Sequence, residues 1–436
     1  VRRLTDLQTN AVADRSAMQR DFIGYILRSG LGHDTAWLAE AGSFLVVAPE
    51  LVRTVLITRV DAFRKSVVTR LATRDYVQGG VILAEGEEHA RQRRLLQPAF
   101  VAAAVEAQGA DIVSRARAEV AGWADGEVVD VDPRMASLAL SVVSKALFGV
   151  DTDTDPALYQ AVRSFELTLR DRLESIPWTG WNPGLGREQL RLSVAKAHGE
   201  LTRSIAGRRA RGDPGADLLG HLLAAMDTDD RFTEAELLDQ CVTLFFAGHG
   251  TTSRALAWTL AILARNPEWW DRAAAEVREV TRGGEIARDA AFPLIDRVLS
   301  EAMRIYPPAW LLDREVITPL RIGDEELAPG TTVLCCAIVT QRDARYWREP
   351  EVFDPDRWLP DGEASRVPRL AYYPFSAGVR TCPGRGFALL EARLVLAEVL
   401  RTVRLEHAPT DRELRPRAGV TMSAWGGMPM RVSRVG

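Results

Sequence analysis

The chain is short of cysteine, of lysine and of long apolar runs, and each shortage excludes something. Its four cysteines (Cys241, Cys335, Cys336, Cys382) form no secreted disulfide framework and no CxxC zinc spacing. Cys335 and Cys336 are adjacent, which suits reduced thiols in a strand. No window reaches ~18 consecutive apolar residues, so no membrane anchor is expected. The opening VRRLTDLQTN lacks the apolar core of a signal peptide, and a cytoplasmic protein is expected. Lysine is scarce among the 55 basic residues, and the net charge of -4 suits neither a nucleic-acid binder nor an acidic solvating protein. Internal repeats, low-complexity tracts, sustained heptads and interdomain linkers are also missing. Residues 1–436 therefore read as a single domain, whose 47% hydrophobic content is ample for a large core.

What is present is mainly α with small β-sheets. Strand signals occur at 43–48 and 313–339, and helical patterns at 86–108, 109–123, 134–148, 155–174, 187–211, 268–281, 292–305 and 385–403. Loops are expected at 67–83, which contains glycine, and at 175–186, which is rich in Pro, Gly and Trp. The longest helix should run from Thr233, which forms a capping box with Glu236, to Asn266 before Pro267. About 33 residues at ~1.5 Å each cross the whole molecule. Its centre, FFAGHGTTS, holds two glycines and two threonines, which should distort the helix and open a groove.

Cys382 stands between Gly378 and Gly384, just before a helix that begins near Gly384. A helix N-terminus and the nearby Arg380 both favour thiolate over thiol. The glycines let the backbone approach a ligand closely. A buried structural cysteine at a helix start is the alternative. The spacing Phe375-x-x-Gly378-x-Arg380-x-Cys382-x-Gly384, extended by Ala388, resembles the haem-binding signature of the cytochrome P450 family. The resemblance runs from about residue 80 to the end of the chain. It implies haem b lying between the long central helix and the helix after the cysteine loop, with Cys382 as the iron ligand.

Other motifs agree in order. LSEAMRIYPPAW resembles the family's E-x-x-R element and FDPDRW its partner, which implies a buried structural cluster of Glu301, Arg304 and Arg357. His89 and Arg93, four apart in GEEHARQRRLL, resemble residues that contact a haem propionate, as do Arg314 and Arg380. Arginine's planar fork suits such carboxylates.

On the long helix, Phe245, Gly248, Thr251 and Thr252 fall on one stripe, the candidate cofactor-facing side. The family pattern there is Ala-Gly-x-(Asp/Glu)-Thr. Ala247, Gly248 and Thr251 match it, and Gly250 replaces the acid. The resemblance implies a dioxygen pocket served by the Thr251 hydroxyl, with atypical proton delivery. His249 is rotated by ~100° from Gly248 and reads as a packed helix residue before a proton carrier. Ordered water or a polar group of the substrate are the other candidates.

Pocket walls are expected from 67–83, Phe245, Ala247, Ala309, Trp310, Leu311 and the Thr421–Met422 turn, positions that resemble the family's substrate-recognition regions. Their apolar character suits a terpenoid, carotenoid or fatty-acid-like substrate. Only 54 residues follow Cys382 (436 minus 382), too few for a fused flavin reductase. Electrons are thus expected from NAD(P)H through a separate ferredoxin or flavodoxin and its reductase, docking near Arg91, Arg94, Arg385 and Arg393. The protein is expected to be a monomeric monooxygenase. A peroxide-driven peroxygenase is the second reading, although Arg254 is turned away from the stripe, and a haem-based sensor is the third.

Overall fold

The computed structural model describes residues 21–73, 79–149, 155–174, 187–212, 217–225, 232–282, 284–408 and 414–435. The expected loop at 175–186 and positions 74–78 of the loop at 67–83 lie outside the described residues. Helices dominate, and those of seven residues or more are numbered here. They are α1 (Phe22–Gly30), α2 (Val67–Thr73), α3 (Gly86–Leu96), α4 (Gly109–Ala121), α5 (Val131–Phe148), α6 (Pro156–Glu174), α7 (Arg187–Arg211), α8 (Leu218–Ala225), α9 (Glu234–Leu263), α10 (Pro267–Thr281), α11 (Pro293–Ile305) and α12 (Arg385–Thr402).

The strands form four small sheets. The largest holds β1 (Thr35–Leu38), β2 (Ser43–Val46), β8 (Thr332–Cys336), β5 (Leu311–Val316) and β3 (Phe63–Arg64), in that spatial order. Within it only β2 and β8 are parallel, with Ser43 opposite Thr332. The others pair β6 (Leu320–Ile322) with β7 (Glu325–Leu327), and β10 (Pro416–Arg417) with β11 (Ser423–Ala424). The fourth places β12 (Pro429–Arg434) between β4 (Val128–Asp130) and β9 (Val403–His407).

The expected helix at 86–108 is interrupted. Pro98 opens a 3₁₀ turn over Gln97–Phe100, and a short helix resumes at Ala102–Glu106. Proline lacks the N–H that a continuous helix would need.

The long helix α9 is the spine. Thr233 Oγ1 accepts the Glu236 N–H at 3.2 Å while the Glu236 carboxylate accepts the Thr233 N–H at 2.7 Å. From there α9 runs 30 residues without interruption, which corrects the expected distortion. Thr251 and Thr252 donate back to the carbonyls of Ala247 (2.7 Å) and Gly248 (3.0 Å). These bonds share carbonyls that the helix already uses, so the hydroxyls are satisfied without breaking a turn. Most of α9 is buried, packed along α5, α11 and α12. The main core fills the space among α4, α5, α9, α10, α11 and α12, and two smaller cores line the faces of the five-stranded sheet.

Cys335 and Cys336 lie buried at the end of β8 as free thiols. Burial pushes Cys335 up to about 12 and raises Cys336 as well, which leaves both inert.

Candidate active site at the cysteine loop

The loop before α12 is fixed mostly by its own backbone. The Cys382 N–H donates to the Phe375 carbonyl at 3.0 Å, and the Thr381 N–H and hydroxyl both reach the Gly378 carbonyl (3.1 and 2.7 Å). Gly378 has φ +67°, and a Cβ there would sit 2.4 Å from the Leu56 carbonyl oxygen, so both conformation and space demand glycine. The Arg385 guanidinium stacks over Phe375, 5.6 Å from the ring centre. Cys382 is only half-buried as a residue. Burial of the thiol raises its pKa, opposed by the N–H groups of Gly384 and Arg385 and by the charges of Arg93 and Arg385. That polarity would stabilise sulfur as an anion once a metal replaces its proton.

Cys382 lines a cavity of about 100 Å³ whose opposite wall is α9. Leu244, Ala247, Gly248, Thr251 and Thr252 form that wall. The arc differs from the expected stripe. Phe245 is buried and turned off the cavity, stacked between Phe148 (6.3 Å) and His249 (6.0 Å), and Leu244 takes its place. His249 packs there too, outside the lining. Arg254 is held by Asp132 at the start of α5. The remaining walls are mostly apolar, with Phe100, Leu147, Leu218 and Phe387 the bulkiest apolar side chains and Gln108 and His221 the polar ones.

The two glycines of α9 differ. A Cβ on Gly248 would meet Val143 at 2.9 Å, whereas one on Gly250 would meet nothing within 4 Å. The first is needed for close packing of α9 on α5. The second is not needed for packing at all.

The structure does not bring the other expected pocket residues to this cavity. Trp310 and Met422 are buried together in a core beside the five-stranded sheet. The indole N–H of Trp310 donates to the Gly419 carbonyl (2.9 Å), and that of Trp258 donates to the Met422 carbonyl (2.9 Å). Both tryptophans thus pin the β10–β11 hairpin. Ala309 and Leu311 flank Trp310, half-buried and outside the lining.

At one side of the cysteine loop lies a concentration of positive charge. His89 and Arg93 come from α3, Arg314 from β5 and Arg380 from the loop itself. Arg93 donates to the Thr381 carbonyl, and Arg380 pairs with Glu85. Burial and the charges of Arg380, Arg93 and Lys65 hold His89 down to about 4. Burial and Arg314 lower Arg380 likewise, against Glu85. Cations that depress one another in this way fit a dianionic partner, such as the two carboxylates of a haem. Among the described residues, no cluster of three His, Cys, Asp or Glu side chains is placed to hold a metal ion.

Glu301, Arg304 and Arg357 meet in a buried cluster. Arg304 forks onto Glu301 at 2.9 and 2.9 Å, and Arg357 Nε reaches Glu301 at 3.3 Å. The Trp358 indole (2.9 Å) and the Asp354 N–H (3.1 Å) complete the carboxylate's partners. Sequence reasoning missed Trp358, although it ends the FDPDRW motif it quoted. Of the proposed docking arginines, Arg91 is paired with Glu88 and Glu236, and Arg393 with Asp296.

A family model described as Cytochrome P450 matches residues 34–425. Cyclooctatin synthase of Streptomyces melanosporofaciens is 33% identical over 394 residues, 87% of this chain and 84% of that protein. Pentalenene oxygenase of Streptomyces avermitilis is 32% identical over 391 residues, 88% of this chain and 86% of that protein. Among solved structures, the cytochrome P450DA heme domain matches with a TM-score of 0.82 at 26% identity, covering 96% of this chain and 94% of that one.

Proposed function

Because the chain belongs to the cytochrome P450 family and is a monooxygenase of that family, we propose that it oxidises a terpenoid-like hydrocarbon with Cys382 as the haem ligand. The observation that carries this reading is that Cys382 and the small residues Gly248, Thr251 and Thr252 line opposite walls of one mostly apolar cavity. Bound haem supplies the activation of dioxygen, one atom of which enters the substrate.

The chain's own residues bind, orient and exclude water. His89, Arg93, Arg314 and Arg380 hold the carboxylate edge, and the Glu301 cluster fixes the loop that presents the thiolate. Phe100, Val143, Leu147 and Phe387 keep the cavity dry, which strengthens every polar interaction inside it. Thr251 now donates to the Ala247 carbonyl. To serve the cavity its hydroxyl turns, leaving the helix bond intact. Glycine at position 250 has no side chain to carry a proton, and the open space there admits ordered water. Electrons come from NAD(P)H through a separate ferredoxin or flavodoxin. Arg91, Arg94, Arg385 and Arg393 remain the docking candidates, of which Arg91 and Arg393 also form ion pairs within the chain.

Pentalenene oxygenase, a relative named for a hydrocarbon, supports the terpenoid end of the hydrophobic range. Spin-state titration with candidate terpenes tests the class, and silence toward all of them while fatty acids respond would overturn it. For the ligand, the reduced protein with carbon monoxide should give the long-wavelength Soret band of thiolate ligation. Cys382→Ser should abolish it, and a retained band would refute the assignment. Product formed per NADPH with ferredoxin, against product with peroxide alone, separates oxygen-driven from peroxide-driven turnover.

A further inference from the structure

Among the described residues, and apart from Cys382, polar side chains meet the cavity at two places. Thr251 and Thr252 come from α9, and His221 and Gln108 from the walls around it. His221 belongs to α8 and Gln108 to the turn before α4, and both are half-exposed, whereas Thr252 is buried. The threonines therefore sit on the spine of the molecule, and the other pair stands at the rim of the cavity.

The rim pair is held in place. Asp217 caps α8 by accepting the Gly220 N–H at 2.9 Å, and Arg208 of α7 forks onto its carboxylate at 2.7 and 2.6 Å. Arg208 also donates to the Phe148 carbonyl at the end of α5. Two neighbouring helices thus set the position of α8, and Leu218 and His221, three residues apart, face the cavity together. The N–H of Gln108 donates to the Val105 carbonyl (3.0 Å), and its own carbonyl accepts from Ile112 (3.1 Å). Among the described residues, neither the His221 imidazole nor the Gln108 side-chain amide has a hydrogen-bond partner.

A water inside a protein needs about two to four polar partners. Only the rim pair and the threonines offer them here, and the cavity has room for several waters between. Thr251 and Thr252 donate to the Ala247 and Gly248 carbonyls, so their oxygens remain free to accept from water. We propose that His221 and Gln108 are the solvent entrance of a water path that brings protons to Thr252 and Thr251, in place of the acid absent at position 250. The imidazole takes a proton from bulk water on one ring nitrogen and releases one to the path from the other, so its own charge is unchanged after each transfer. Gln108 carries no proton, and its amide orients the first water against the ring. His249, closer in sequence to the threonines, is stacked on Phe245 and lies outside the lining.

The inference rests on the oxygen-driven reading above. The test compares holoenzymes of the parent, His221→Leu, His221→Gln and the swapped pair His221→Gln/Gln108→His. Each is turned over with ferredoxin, its reductase and NADPH on the terpene that gives the largest spin-state shift. His221→Leu should lower product formed per NADPH about tenfold, less than the roughly hundredfold of a proton donor in direct contact, with the missing electrons recovered as peroxide. His221→Gln keeps a polar rim but cannot relay, and should fall equally. The ratio of rates in H2O and D2O should rise in both. The swapped pair returns an imidazole to the rim from the other wall and should recover most of the coupling, which a structural histidine would not.

Two measurements need no turnover. Melting temperature and haem content should stay those of the parent in all variants. Histidine C2–H exchange, followed by mass spectrometry, should be equally fast at His221 in the haem-free and the loaded chain. Exchange suppressed by haem or by the terpene would place His221 against that ligand and overturn the entrance. Coupling and isotope effect unchanged in both His221 variants, or a swapped pair no better coupled than His221→Gln, would overturn it too. A parent that forms product from peroxide alone and none with ferredoxin would instead overturn the reading beneath it.

Discussion

Glu391 shows what a single residue in this core can cost. It lies in α12, fully buried, and both carboxylate oxygens lack a hydrogen-bond partner among the described residues. Burial alone pushes its pKa well above the usual carboxylate range. The folded chain then keeps a proton that the unfolded chain releases above about pH 4.3. Stability contributed by the protonated acid is complete below that value and is lost as pH rises toward the folded pKa. Glu391→Met should therefore raise the melting temperature at neutral pH, by roughly 1–3 kcal/mol of stability for an unsatisfied buried group. The gain should shrink toward pH 4. A variant less stable than the parent at every pH would show that the carboxyl has a partner in the folded protein. Nothing in the local pattern LLEARL distinguishes Glu391 from an exposed helical glutamate, so its burial was illegible from the sequence. Cys382 was legible because its signature fixes backbone positions as well as the ligand. Gly378 has to be glycine, and that requirement leaves a mark in the spacing.

At the scale of elements, most boundaries were legible to within a few residues. The capping box at Thr233 and first-turn prolines at Pro267 and Pro293 fix the starts of three helices by local chemistry. The rotation of α9 was not legible. Phe245 and Leu244 are adjacent and both apolar. Which one faces the cavity is decided by Phe148 of α5, a tertiary contact with no local signature. The same helix yields a paired prediction. Gly250→Ala should stabilise the protein by about 0.5–1 kcal/mol, the usual gain for alanine over glycine in a helix interior. Gly248→Ala should lose that gain to the contact with Val143 and reduce haem incorporation. Since Gly250 has space for a side chain, Gly250→Asp should fold normally and raise product formed per NADPH consumed. Coupling and solvent isotope effect identical to the parent would place position 250 off the proton path.

Across the whole molecule, one buried charge cluster is drawn from distant parts of the chain. Glu301 and Arg304 belong to α11, while Arg357, Trp358 and Asp354 come from the segment that follows the five-stranded sheet. Sequence motifs named the three charged members, but not the shell that makes their burial tolerable. The Gln341 carbonyl accepts from Arg304 at 2.9 Å, the Glu349 carbonyl accepts from Arg357 at 3.0 Å, and the Trp347 ring lies 5.4 Å from the Arg304 guanidinium carbon. Glu301→Gln leaves Arg304 buried without its anion, while Arg357 keeps its pair with Glu363. Breaking one side of such a cluster typically costs about 3–5 kcal/mol, because a desolvated charge is left without compensation. The expected outcome is a large fall in melting temperature and in haem bound per chain. Turnover per bound haem should stay near that of the parent, since Glu301 touches neither cavity nor cofactor. Calorimetry together with haem quantification checks both halves. An unchanged melting temperature would mean the cluster contributes nothing to the fold. A loss of turnover per haem without loss of stability would move Glu301 from support of the fold into the chemistry of the site.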